Sequence, residues 1–378
     1  MTIYLDVSAA VHSRAGLGRY AESLARHLIA QDPAGYALFF NRDAGIQPLH
    51  GLEGVPRRTV RAGYKPWRMA VLLGQWARIG FNRLLPGASL FHATEHLLMP
   101  LRGVPAVLTV HDLIFRRYPQ YHKRLNYWYL NLAMPLYVRR ADAIITISES
   151  SRRDLVTAYG VPPEKVTVVY EAAAPHFVPQ PAAEMARVRA RYGLPERFLL
   201  TVGTIEPRKN LSRLLSAFEV AARQGVVDAW VVAGRPGWLY DDFFARLEAS
   251  PARDRVMLPG YVPDADLPAL NAAATAAVLP SLYEGFGLPV LEAMGCGAPV
   301  VCSDAASLPE LGGDAARYFD PADEEAMATV LVAVLADAGL RDAMRQQGLR
   351  QAARFSWQRA AQETRLVYQG LLKKNGVC

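Results

Sequence analysis

Glu284 and Glu292 enclose the seven residues Gly285-Phe286-Gly287-Leu288-Pro289-Val290-Leu291. A mostly apolar run over 275–280 precedes them and reads as a short buried strand. Pro289 suits the first turn of a helix, where its missing N–H costs nothing, and Gly295 and Gly297 suit its end. The spacing thus predicts strand, loop and helix, with Glu284 in the loop and Glu292 inside the helix's first turn. Between them, at Phe286, Gly287 and Leu288, lie the free N–H groups and positive dipole end of a helix N-terminus, which suit a diphosphate. Each carboxylate can accept from hydroxyls, and a phosphate-linked sugar on one side with a ribose on the other would satisfy the pair. The same two residues also fit a plain junction with one solvated glutamate and one favouring the helix dipole.

Three other groups have the types and positions for related chemistry. Arg208-Lys209 follows a strand and precedes a helix, and adjacent fixed cations there suit a departing diphosphate; a solvated basic loop is the ordinary alternative. His111 ends a buried strand, where an imidazole can bond a sugar hydroxyl and steady a developing oxocarbenium charge, or can simply be a satisfied structural histidine. Gly16-Leu-Gly18-Arg19-Tyr20-Ala21 has the form G-x-G-x-x-A of a dinucleotide fingerprint. Residues 8–15 separate it from the first strand, however, and no acid ends the second strand near Phe40, which argues against NAD(P). Asp264-Ala265-Asp266 has the form of a D-x-D metal site, but Asp264 better fits the cap of a helix starting near Leu267. No metal and no cofactor are expected.

The elements that must carry these residues alternate. Strands are expected over 3–7, 36–40, 90–92, 104–110, 143–147 and 166–170, with a glycine loop at 16–19, a helix over 20–29 and Ser148 as an N-cap. After a proline-bounded linker at 175–181, strands follow over 198–202, 230–233, 256–258, 277–279 and 299–302. Helices follow over 211–221, 326–353 and 357–372. This is an α/β pattern of two Rossmann-like, doubly wound parallel sheets, expected to face each other across a ligand cleft that closes to exclude water. The boundaries read as 1–178, 179–354 and a C-terminal helix, 355–378, crossing back to the first domain.

At 378 residues, 51% hydrophobic and 20% charged, the chain has the length and composition of an ordinary two-domain protein. Cys296, Cys302 and Cys378 form neither a disulfide framework nor a metal-ligand spacing, as suits a reducing cytosol. The N-terminus has no signal-peptide pattern, and no uncharged run reaches the ~18 to 20 residues of a membrane span. Through Pro179 there are 21 Lys and Arg against 12 Asp and Glu, so the first half is basic and suits an anionic partner. No nucleic-acid-binding motif accompanies that charge. Arg57, Arg58, Arg61, Lys65, Arg68, Arg78 and Arg83 surround Trp67, Met69, Val71, Leu72, Leu73 and Trp76, which suits either an anionic membrane surface or a solvated helix packed on its own domain.

The E-x7-E element with Gly-Phe-Gly-Leu-Pro inside it, the strand-end His111-Asp112 and the loop 203–210 together resemble family 4 of the retaining GT-B glycosyltransferases, over nearly the whole chain. The resemblance implies a nucleotide diphosphate sugar donor, with Arg208 and Lys209 on its diphosphate and His111 facing the sugar. Many members begin the Arg-Lys loop with Gly-Arg, where this chain has Gly203-Thr204. It further implies that Gly16 and Gly18 belong to an acceptor-side loop approaching the diphosphate, and that the Tyr261-Val262 corner approaches the base. The loop 203–210 and the strand end 110–115 most resemble bacterial mannosyl- and rhamnosyl-type members, which favours GDP-mannose, with UDP- or dTDP-sugars as alternatives. The implied acceptor is a glycan or lipid-linked hydroxyl, and the implied location is cytoplasmic, peripheral on the inner membrane face. A GT-B nucleotide-sugar epimerase, an NAD(P) oxidoreductase using Gly16 to Ala21 and a catalytically silent sugar-nucleotide-binding protein are the rival readings.

Overall fold

The computed structural model describes residues 1–12, 15–42 and 45–376; Cys378 lies outside them. The chain divides into two compact units. One comprises Met1–Glu171 with the segment from Ser356 onward, the other Ala172–Phe355. The division thus falls after Glu171, a few residues before the expected linker at 175–181.

Among the described residues the first unit holds seven strands: β1 (Thr2–Asp6), β2 (Tyr36–Arg42), β3 (Arg57–Arg61), β4 (Ala88–Ala93), β5 (Ala106–Val110), β6 (Ala143–Thr146) and β7 (Val166–Val168). They form one parallel sheet in the order β3-β2-β1-β4-β5-β6-β7. The central strands are buried on both faces, which is why Ala106–Val110 reads as a continuous apolar run with a single threonine. Phe39, Phe91 and Leu108 pack there with Trp67, Val71, Met134 and Tyr137 from the crossover helices. The helix Trp357–Lys374 belongs to this unit: its Tyr368 hydroxyl meets His92 Nδ1 at 2.5 Å and Trp357 lies edge-on to Tyr20.

The second unit repeats the plan with β8 (Phe198–Val202), β9 (Ala229–Ala233), β10 (Val256–Gly260), β11 (Ala276–Leu279), β12 (Val300–Ser303) and β13 (Arg317–Phe319), all parallel in the order β10-β9-β8-β11-β12-β13. Each sheet face has its own core, one around Trp230, Phe218 and Leu331, the other around Phe198, Val231 and Leu270.

Several sequence expectations are corrected. Gly16 and Gly18 are not in a loop but in the helix Ala15–Gln31, which Tyr20, Ala21, Leu24 and Leu28 bury against the unit. Gly18 is small for packing: a Cβ there would stand 2.9 Å from the Ala9 carbonyl. The helix expected over 326–353 is two, Glu324–Ala336 and Ala338–Ala352, because the Asp337 carboxylate caps the second by accepting from Leu340 N–H at 2.9 Å. The stretch 57–83 is not one helix. Its first three arginines lie on the exposed edge strand β3, where charge blunts an open edge, and the helix spans only Tyr64–Ala77. Ser148 does cap its helix, accepting from Ser151 N–H at 3.1 Å.

Candidate functional site

The second sheet reverses its strand order between β8 and β11, so the loops that follow these neighbouring strands leave the sheet side by side. In an open parallel sheet such a switch point is where ligands are reached. The first loop passes through Glu206 into the short turn Pro207–Lys209 and closes at Asn210, which is left-handed (φ 57°). The Asn210 amide donates to the Pro280 and Pro321 carbonyls at 3.0 and 2.8 Å, and Leu282 N–H donates to the Arg208 carbonyl at 2.9 Å. The second loop is held from beneath: Ser303 Oγ donates to the Ser281 carbonyl at 2.6 Å, and Ser307 Oγ bonds the Glu284 and Phe286 carbonyls. Gly287 then turns the chain into the helix Leu288–Gly295 at φ 113°, and a Cβ there would meet Leu308 at 2.6 Å. Only glycine suits that position.

These two loops bring three of the expected residues into contact. Glu284 Oε1 accepts from Lys209 Nζ and from Ser281 Oγ, both at 2.6 Å, while Oε2 lies 2.9 Å from Arg208 Nη1. Arg208 also pairs with Glu206 and donates to the Tyr283 carbonyl at 2.8 Å. Burial of Glu284 would raise its pKa, but the Arg208 and Lys209 charges, with hydrogen bonds from Lys209 and Ser281, outweigh that and hold it at about 2. The carboxylate is therefore ionised throughout the physiological range, and the two cations are placed before any ligand arrives. Of its three N–H donors, Lys209 directs one to Glu284. Gly203 (φ 145°) lies beside the ammonium; a Cβ at that position would come within 3.6 Å of Nζ.

Glu292 is buried, but it is the fifth residue of its helix and lies beyond the first turn where it was expected; the helix begins at Leu288 because Gly287 still carries a left-handed φ. The Phe286 ring packs edge-on against Phe355, so its backbone rather than its side chain is presented at the helix start. Gly287 has no side chain with which to cap the first-turn N–H groups there. Val262 is buried, whereas Tyr261 is exposed, with the Arg235 guanidinium 4.8 Å from its ring centroid. Asp266, not Asp264, occupies the N-cap position of the helix Leu267–Ala273. Its carboxylate makes no cap bond and is taken instead by Arg187, Arg191 and Tyr192, within 2.6 to 2.9 Å.

In the first unit His111 follows β5 and is buried, with both ring nitrogens facing protein acceptors. Nε2 is 2.9 Å from the Thr94 carbonyl and Nδ1 is 3.3 Å from Glu171 Oε1. Its backbone N–H donates to His96 Nε2 at 3.0 Å, and Tyr20 abuts the ring edge-on. Burial opposes a charge on His111, but the Glu171 carboxylate, aided by the Thr94 carbonyl and Asp112, raises its pKa on balance. His92 and His96 have no such partner, and burial, reinforced by the His111 charge, lowers both to about 3. The stretch Gly16 to Ala21 does not form the strand-to-helix turn of a dinucleotide site, because a separate short helix, Ser8–Val11, comes between it and β1.

Glu171 was not anticipated from the sequence. The signal was an acid three residues past a strand end, at the same edge of the sheet as His111. A positioning role predicts that Glu171→Gln lowers the His111 pKa in an NMR titration. Because that pKa is raised in the folded protein, the stability it contributes is complete below about 6.5 and is lost as pH rises through the folded value. The pH–stability slope above that point should flatten in the variant; an unchanged titration would remove Glu171 from this role.

Comparison with known proteins agrees with the two-unit plan. Residues 186–351 match the family Glycosyl transferases group 1, and residues 14–175 match Glycosyltransferase Family 4. The chain is 35% identical over 281 residues to the O-antigen chain mannosyltransferase B of Escherichia coli, covering 74% of each protein. It is 30% identical over 291 residues to the MMP alpha-(1->4)-mannosyltransferase of Mycolicibacterium hassiacum, covering 73% of this chain and 68% of that one. The structure of Anabaena HepE in complex with UDP shares its fold, with a TM-score of 0.73 at 18% identity over 98% of this chain and 99% of the other.

Proposed function

The chain belongs to glycosyltransferase family 4 and has the GT-B fold, and on that premise we propose a retaining, metal-independent hexosyl transfer from a nucleotide diphosphate sugar. The observation that carries this reading is the Lys209–Glu284–Arg208 cluster at the switch point of the second sheet. Two fixed cations beside a helix N-terminus suit the negative charge that develops as the diphosphate departs. In this reading Lys209, Arg208 and the backbone from Phe286 to Leu288 hold the diphosphate. Glu292 accepts from the ribose, and Tyr261 and Val262 flank the base. Glu284 accepts from the sugar. His111 serves the sugar from the first unit, a hydroxyl taking the place of the Thr94 carbonyl on Nε2. Gly16 and Gly18 belong to the acceptor-side unit.

The acceptor hydroxyl attacks on the face from which the phosphate leaves, and the leaving phosphate takes its proton. Orientation and charge stabilisation then supply the rate. The mannosyltransferase relatives favour mannose, and hence GDP-mannose over a UDP- or dTDP-sugar. The acceptor is a glycan or a lipid-linked hydroxyl in cell-surface polysaccharide or glycoconjugate synthesis, reached at the cytoplasmic face of the membrane. Thermal stabilisation by GDP, UDP, dTDP and ADP, with and without EDTA, tests the donor site. One diphosphate at about 100 times its dissociation constant should add ~2.7 kcal/mol of stability, unaffected by EDTA. No response to any of the four would overturn the reading.

A further inference from the structure

We propose that the helices Tyr64–Ala77 and Arg124–Arg140 form a docking face that seats the first unit on an anionic lipid surface. Each helix is apolar on two sides. Inward, Trp67, Val71 and Leu72 of one, and Leu130, Met134 and Tyr137 of the other, join the core. Outward, Met69, Leu73 and Trp76 recur at helical spacing on the first, and Leu125, Trp128 and Leu132 on the second. None of these six is covered: Leu125 is 83% exposed, Trp76 78% and Trp128 69%. Among the described residues, no other pair of elements gathers as many exposed large apolar side chains as the six on these two helices. Scattered single residues would mean nothing, but a contiguous patch marks an interaction site.

The helices are fixed to each other. The Arg68 guanidinium stacks 3.7 Å over the Tyr129 ring and donates to Asn126 Oδ1 at 2.8 Å, and the Tyr129 hydroxyl donates to the Arg68 carbonyl at 3.1 Å. The two stripes therefore form one surface.

Charge selects the occupant. Neither 57–83 nor 123–140 contains a single Asp or Glu, while Lys65, Arg78, Arg83, Lys123, Arg124 and Arg139 are exposed on or beside the helices. A second copy packed on this face would set cations against cations, whereas an anionic bilayer complements them and accepts the tryptophans at its headgroup level. Both helices cross over between parallel strands and so run against them. Their N-terminal ends, with Lys65, Arg124 and Leu125, thus lie at the edge of the sheet from which His111 emerges. A lipid-linked acceptor would meet the unit there. The inference rests on the proposed function for that acceptor alone, and its test needs neither substrate.

Flotation with vesicles of phosphatidylglycerol and phosphatidylcholine, against phosphatidylcholine alone, reads the binding. The full-length protein should float with the mixed vesicles only. Arg124→Gln should weaken binding about fivefold, the worth of one cation near an anionic surface. The double variant Trp76→Ser, Trp128→Ser should fall to background with an unchanged melting temperature, since both rings are exposed. No flotation of the wild type, or undiminished flotation of the double variant, would overturn the proposal. So would a lipid-free dimer that the double variant dissolves, which would assign the face to a second copy. Donor-nucleotide stabilisation remains an independent readout, so failure here leaves the transferase reading standing.

Discussion

Glu284→Gln should abolish transfer, lowering kcat by at least about 10²–10³-fold, and should also destabilise the second unit. The two losses have one cause. Glu284 is the buried acceptor on which Lys209 and Arg208 both converge, and glutamine leaves the half-buried Lys209 ammonium without that counter-charge. Breaking a buried pair from one side costs about 3–5 kcal/mol. The pH dependence gives a second check. The folded pKa of about 2 lies below the ordinary value of 4.5, so the stabilisation is complete above about 4.5 and is lost as pH falls toward 2. A shift of that size corresponds to about 3 kcal/mol. Denaturant titrations at about pH 7 and about pH 3 should therefore show the gap between wild type and variant narrowing in acid. An equal gap at both, or wild-type turnover, would show that this carboxylate does neither job.

Lys209→Met should reduce kcat/KM by about 10²–10³-fold while leaving the fold nearly as stable as before. The asymmetry with Glu284 follows from the contacts. Removing the ammonium leaves Glu284 still paired with Arg208 and bonded by Ser281, so no buried charge is orphaned. What disappears is the cation whose remaining N–H donors are available to a diphosphate. The nucleoside diphosphate that stabilises the wild type should accordingly stabilise this variant much less, with an unliganded melting temperature close to normal. Steady-state kinetics and the melting curve separate the two effects. Full nucleotide stabilisation in the variant would move the diphosphate away from Lys209.

Residues acting through local pattern were legible in the sequence. The buried strands of both sheets announce themselves as apolar runs, and the loop–helix junction at 284–292 is written in its glycines and proline. Edge elements were less legible. β3 is largely arginine and carries no apolar alternation, because an edge strand is specified by pairing with its neighbour, here Leu38 to Arg42 against Arg57 to Arg61. The exposed stripe on the helix Arg124–Arg140 was likewise invisible, since its outward leucines and tryptophan look like core residues until something fails to cover them.

By itself the sequence determined the α/β class, the two-sheet plan, the family and the placing of Arg208, Lys209, Glu284 and His111 at strand ends. Periodicity and turn chemistry are local, and a strand end lies where its apolar run stops. Only the tertiary structure decided that Lys209 and Arg208 share Glu284, that Glu171 sits against His111, and that Gly18 belongs to a packed helix. These pairs lie far apart along the chain, or between elements, and are brought together by strand order. Strand order is settled by how the helices cover a whole sheet, a balance to which no single stretch of sequence answers.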